Sequence, residues 1–328
     1  MNFTLKQLVT PSIARSVLLV SFSVPVWFVF MLVGNRPPDL HITMFSIPSF
    51  FVIEGWVTNV FSYAFLLLNA FLIAQFNTRH NVIRTRTFMP VLIFMILMSV
   101  WEGLHNTLLP HVLLAILILS LFLFFEVYRS AHDAEMVFLS TFLLGIAGFI
   151  LPSLVYLLPV FWIGLFQSKS LSLRTLLGSI IGYLAPWLIY LSIKTYYLSN
   201  LLWLNDLLNR FLFDLPNFLL YEYIYLAAIV LCFILLFPTL IDKYQGDSIQ
   251  ARSRLRFLGV LMIAATVLSL FVVDGFLFFL SIAILSYSIL LSHPLSLALR
   301  SFQAIIFYIF AFVHFIFLSY QFYYKFFM

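Results

Sequence analysis

The stretch Asn35-Arg36-Pro37-Pro38-Asp39-Leu40-His41 gathers a carboxylate, an imidazole and a guanidinium within seven residues. Asp39 and His41 are candidates for acid–base work, and the fork of Arg36 matches a phosphate. Two prolines stiffen the loop that carries them. Such a loop at a membrane face has what group transfer from a lipid phosphate needs. The plainer reading is a solvated loop with Arg36 anchored among headgroups.

Four more residues are candidates for contact with a substrate: Glu54, Glu102, His105 and Arg210. Glu102 and His105 share the run Trp101-Glu102-Gly103-Leu104-His105-Asn106, and His111 follows six residues later. A charge deep in a bilayer costs about 2.5–3.5 kcal/mol on insertion scales, so Glu54 and Glu102 are expected near the outer mouths of their spans. The His105–His111 gap is not the i, i+4 spacing of a helical metal pair, and nothing resembles a Cys/His framework. Neither a metal nor a cofactor is expected. Arg210 pairs with Asp206 at i, i+4, or else turns toward an anionic headgroup. Asn69 and His314 fall midway along apolar runs, where each can bond across a helix interface. If they face one cavity, they mark a pathway.

The elements that must position these groups follow from composition. Of 328 residues 64% are hydrophobic and 9% charged, far outside globular averages, which predicts an all-α polytopic transmembrane bundle. The 40 Phe read as lipid-facing filler. The formal charge of +5 is scattered over short loops rather than gathered on one face, so no nucleic-acid partner is expected. Cys232 is the one cysteine, which rules out an intramolecular disulfide.

Apolar runs bounded by charges or proline predict eleven spans, at about 16–34, 55–76, 88–101, 108–128, 136–151, 153–167, 174–195, 218–241, 257–273, 275–292 and 301–322. The break at Pro152 reads as a hairpin, because fusing the runs there spoils the alternation of basic loops. With that split, and the amino terminus in the cytoplasm, Lys and Arg gather inside, leaving Arg36, Lys194, Arg210 and Lys325 outside. The carboxyl terminus is then periplasmic. Asp39, Glu54, Glu102, Asp206, Asp214, Glu222 and Asp274 all fall outside, as a working outer surface would require. Apolar spacing over about 199–214 predicts an amphipathic helix lying on the periplasmic face. The whole chain is expected to be one integral membrane domain.

Three further expectations concern smaller features. The basic stretches from Arg79 to Arg86 and from Arg252 to Arg256 are rich enough to hold anionic headgroups. Glu126, Arg129, His132, Asp133 and Glu135 read as a solvated mixed loop. Gly178 and Gly182, four residues apart, are suited to a helix–helix interface. Among enzyme classes, histidine-box oxygenases, serine hydrolases, zinc proteases and Walker-type nucleotidases lack their motifs here.

Asp39 directly after the first helix, the run Leu66-Leu67-Leu68-Asn69-Ala70 leading into a basic loop, and the paired short segments from Pro152 to Pro186 resemble the C superfamily of glycosyltransferases. These use polyprenyl-phosphate sugars as donors, and the likeness covers roughly residues 1–190. The resemblance implies a bundle of about eleven to thirteen spans with Asp39 as the essential acid. The first outer loop is shorter than is usual there, and an outer carboxyl-terminal domain is not expected within these 328 residues. The chain as a whole resembles a Phe-rich family of inner-membrane proteins from Gram-negative bacteria.

The expected function is an inner-membrane protein whose outward-facing polar cavity handles a polyprenyl-phosphate-linked or other anionic lipid, with glycosyl transfer as its chemistry. Asp39 would be the base on the acceptor, Arg36 and Arg210 would neutralise the phosphate, and His41 or His105 would assist. The alternatives are a transporter or flippase with a polar path through broken helices, and a structural subunit that docks a partner. Membrane lipids are the expected partners.

Overall fold

In a computed structural model, residues 23–25, 27–28, 56–85, 87–105, 107–127, 133–197, 220–272, 275–297 and 301–327 are described, and every regular element among them is helical. In chain order these are α1 (Trp56–His80), α2 (Met89–Val100), the one-turn α3 (Glu102–His105) and α4 (Leu109–Phe124). Then come α5 (Asp133–Ile150), a 3-10 turn (Pro152–Leu157) leading into α6 (Leu158–Gln167), and α7 (Leu173–Tyr197). The chain ends with α8 (Leu220–Tyr244), α9 (Ile249–Phe271), α10 (Phe276–Leu297) and α11 (Ser301–Phe327). Among the described residues seven helices, α1, α5 and α7–α11, are long and apolar enough to cross a bilayer. A helix satisfies its own backbone where no water can, so apolar runs of this length make the chain a multi-pass membrane protein.

The runs expected as spans at 88–101, 108–128 and 153–167 fold as shorter helices. The 12 residues of α2 rise about 17 Å and the 16 of α4 about 23 Å, less than the roughly 30 Å of hydrocarbon. Proline sets their starts. Pro90, Pro110, Pro152 and Pro159 each sit in a first turn, where a missing N–H costs nothing. The expected span at 16–34 is described only at residues 23–25, 27 and 28. The surface helix at 199–214 lies outside the described residues.

Long-range contacts assign the loops to two ends of the bundle. At one end Arg254 of α9 donates to the carbonyls of His80 and Phe125, where α1 and α4 finish. Ser253 donates to the carbonyl of Gln167, where α6 finishes, and Asp247 before α9 meets His293 near the end of α10. This is the basic end. At the other end Gly103 faces Leu277, and Gly275 faces Leu151, so the turns after α2, α5 and α9 meet there. The chain therefore reverses at Leu151, where an extended residue precedes Pro152, and reverses again between α9 and α10.

α10 is the central helix, with 94% of its spanning stretch buried, whereas α8 and α11 bury 17% and 22% and present apolar faces to lipid. Against α5, α7 packs closely enough that glycine is required. A Cβ on Gly145 would lie 2.4 Å from the Tyr183 carbonyl oxygen, and one on Gly182 would lie 2.5 Å from that of Phe138. Gly182 thus serves a helix–helix interface within the chain, with Gly178 one turn away at looser contact, 3.3 Å from the Ala134 carbonyl oxygen.

Candidate functional site

α1 runs in the same direction as α4, with Asn69 beside His111 and Phe76 beside Phe122 and Phe125. Asn69 lies 11 residues above His80, or about 17 Å, and α1 continues about 20 Å beyond it. α2 climbs from the basic end, turns through α3, and α4 descends again. The turn is therefore recessed within the depth of the bundle, below the far end of α1. On another side Trp101 packs against Phe317, and α11 continues ten residues, about 15 Å, past that contact.

Polar side chains collect in this recess. On α1, Thr58, Asn59, Ser62, Tyr63 and Asn69 fall on one buried stripe at helical spacing. His105 and His111 face them from the broken segment, 1% and 0% exposed. Trp27 roofs the group, its ring 4.0 Å from that of His105 and its Nε1–H donating to the Asn59 carbonyl at 3.3 Å. Ser23 and Tyr63 share a hydrogen bond of 2.8 Å.

Hydrogen-bond geometry sets the character of the recess. Asn69 Nδ2 donates to the His111 carbonyl at 3.0 Å, leaving Oδ1 without a partner. His111 Nε2 lies 2.9 Å from the Leu104 carbonyl, which can only accept, so Nε2 carries the proton. Its Nδ1 then keeps a lone pair, and it too has no partner. The hydroxyls of Thr58 and Ser62 are likewise buried and unpartnered. Each such atom costs on the order of 1–3 kcal/mol unless a water or a ligand group meets it.

His314 belongs to a different group. Its Nδ1 lies 2.6 Å from the Phe310 carbonyl and its ring stands edge-on to Tyr225 at 5.2 Å. Tyr225 stacks on Phe317 at 3.9 Å, and Trp101 touches both of those rings. Asn69 and His314 thus belong to separate clusters, to which His105 and Trp101 of the same short connection contribute in turn.

At the basic end a buried carboxylate bridges two cations or donors. Asp247 forms an ion pair with the Arg84 Nε at 2.7 Å through Oδ1, without hydrogen-bond alignment, and a 2.7 Å hydrogen bond with His293 Nε2 through Oδ2. Arg84 also donates to the Gly246 carbonyl at 2.9 Å, tying the α1–α2 connection to the α8–α9 connection. Arg254 is turned inward onto helix carbonyls rather than out to headgroups, and Glu126, expected to be solvated, pairs with Arg79. Sequence reasoning missed Asp247 and His293. Nothing in their local spacing signals a pair 46 residues apart.

Of the residues singled out by sequence, Arg36, Asp39, His41, Glu54 and Arg210 lie outside the described residues. Glu102 opens α3 beside the recess, and His105 closes it. Asn69 bonds the His111 carbonyl and His105 stacks on Trp27, which also meets the His111 ring. No group of His, Cys, Asp and Glu that could hold a metal ion occurs among the described residues. The chain matches no protein-family model, no curated protein and no solved structure.

Proposed function

We propose that this membrane protein handles a lipid-linked substrate, seating its polar head in the recess between α1 and the α2–α4 hairpin. The observation that carries this reading is the pair of buried, unpartnered acceptors, Asn69 Oδ1 and His111 Nδ1, flanked by the hydroxyls of Thr58 and Ser62. Acceptors without donors call for a ligand rich in O–H groups, and a sugar is such a ligand. A polyprenyl-phosphate sugar joins that head to an apolar tail soluble where the recess lies. By the positive-inside rule the basic end faces the cytoplasm of a bacterial inner membrane, and the recess opens to the periplasmic half.

In this reading Asp39 is the base on the acceptor, with Arg36 and Arg210 on the phosphate and Glu54, Glu102 and His41 around them. The test uses membranes given a labelled polyprenyl-phosphate sugar. Wild type transfers the label, and Asp39→Asn abolishes transfer. Asn69→Leu with His111→Leu removes the acceptors and weakens retention of the lipid. Undiminished transfer by Asp39→Asn would remove it as the base, and undiminished retention by the double variant would remove the recess as the site.

One observation favours a second reading, transport or flipping of such a lipid. Helices broken inside the bundle, as where α2 ends and α4 begins, are the usual place for a site within the membrane. A vesicle assay that follows a fluorescent lipid between leaflets distinguishes this from transfer.

A further inference from the structure

Away from the recess, two polar atoms on neighbouring helices are buried with no hydrogen-bond partner among the described residues. They are the hydroxyl of Tyr225 on α8 and Nε2 of His314 on α11, in side chains 2% and 4% exposed. The Phe310 carbonyl, 2.6 Å from His314 Nδ1, can only accept, so Nδ1 carries the proton and Nε2 keeps a bare lone pair. The phenol is the kind of donor this lone pair lacks, yet the two do not bond. Their rings stand edge-on at 5.2 Å, with Tyr225 stacked on Phe317 at 3.9 Å and His314 on Phe310 at 4.0 Å.

The polarity of the pair defines what would complete it. A carbonyl oxygen accepts from Tyr225 and leaves Nε2 unmet. A hydroxyl serves both: its oxygen accepts from the phenol and its proton goes to Nε2. Depth argues against an ion. His314 falls halfway along the spanning stretch Ile305–Tyr323, where a charge is costly and a neutral hydroxyl with two partners is tolerated. Access is from the bilayer, because α8 and α11 bury least of the seven described spans. A molecule dissolved in lipid reaches the seam between them without crossing the bundle.

We propose that Tyr225 and His314 form a binding site for the hydroxyl of a neutral, bilayer-soluble molecule, a lipophilic alcohol or a quinol, whose apolar body lies along the α8–α11 seam. The site is separate from the recess and does not depend on what the recess binds.

The test gives the full chain in mild detergent two hydroxyl probes, each beside a control that lacks the donor: farnesol with farnesyl methyl ether, and decylubiquinol with decylubiquinone. Native mass spectrometry reads retention. Wild type retains farnesol or decylubiquinol about tenfold better than the matching control, the effect of one buried hydrogen bond, and which probe is held tells an aliphatic from a phenolic hydroxyl. Tyr225→Phe keeps the ring and its stacking but lowers retention of that probe about tenfold, and His314→Phe does the same. Unchanged thermal unfolding of Tyr225→Phe shows that the fold is intact. Equal retention of each probe and its control, or no retention of either probe, would overturn the proposal and leave the pair to a buried water. Retention undiminished by Tyr225→Phe would overturn it as well.

Discussion

Arg254→Met separates two roles that a basic residue can have at the end of a membrane bundle. In the structure its guanidinium donates to the His80 and Phe125 carbonyls, two of the acceptors that a helix end leaves unmet, and it stands 5.7 Å from the centre of the Phe125 ring. A hydrogen bond to a charged group contributes about 1.5–3 kcal/mol when dry, so two give about 3–6 kcal/mol. Arg254 is half-buried, and water at the bundle end can replace part of this, which leaves about 1.5–3 kcal/mol. Met keeps the apolar stem and removes both donors. Thermal unfolding in detergent should then fall by roughly 3–10 °C. The control is Arg256→Met, an exposed position two residues on, expected to change stability by less than about 0.5 kcal/mol. If the two variants lose equal stability, the residues act on headgroups as charge alone and the capping argument is wrong.

Gly182→Val should destabilise by at least about 1–3 kcal/mol, because its Cβ meets backbone that cannot swing away; Gly178→Ala, 3.3 Å from the Ala134 carbonyl oxygen, should cost less. Chemical unfolding of the two variants side by side reads this difference. Asp247→Leu strips the buried partner from His293 and should cost about 3 kcal/mol in the same assay, whereas a change near zero would mean the bridge is not formed. In a Cys232→Ala background, Lys169→Cys and Gln250→Cys should react with an impermeant maleimide from one side of the membrane, the cytoplasmic side. Labelling of either from the periplasm in intact spheroplasts would break the proposed orientation.

How much of this was legible in the sequence depended on whether the signal was local. Length and apolar content announce α1, α7, α8 and α11 because a membrane helix carries its own backbone pairing and needs no distant partner. Proline at 90, 110, 152 and 159 marks where helices begin, though not that α2 stops and α4 starts within the bundle. That depends on Gly103 packing against Leu277, a contact between distant segments. The same limit applies to the polar groups. Asn69 stood out as one polar residue in an apolar run, and its partner proved to be a backbone carbonyl on α4, which no residue type reveals. Arg254 was visible as a charge, but its inward direction was not, since topology alone accounts for a basic residue at that place.

The chemistry of the two ends argues for which one opens. Arg79–Glu126, Arg84–Asp247–His293 and the Arg254 contacts all lie at the basic end, tying α1, α4, α9 and α10 together. Around the recess the contacts among described residues are aromatic rings and hydrogen bonds. Alternating access would require the basic end to part in every cycle, exposing a carboxylate and an imidazole that are fully buried. A protein that works from one face needs only the recess to open, with Trp27 moving off His105. Cysteine accessibility distinguishes the two. With Cys232 removed, a cysteine at Ser292 beside the Asp247–His293 pair should stay unreactive while one at Ser62 becomes reactive when lipid-linked sugar is added. Substrate-induced reaction at Ser292 would favour transport and count against the one-sided mechanism.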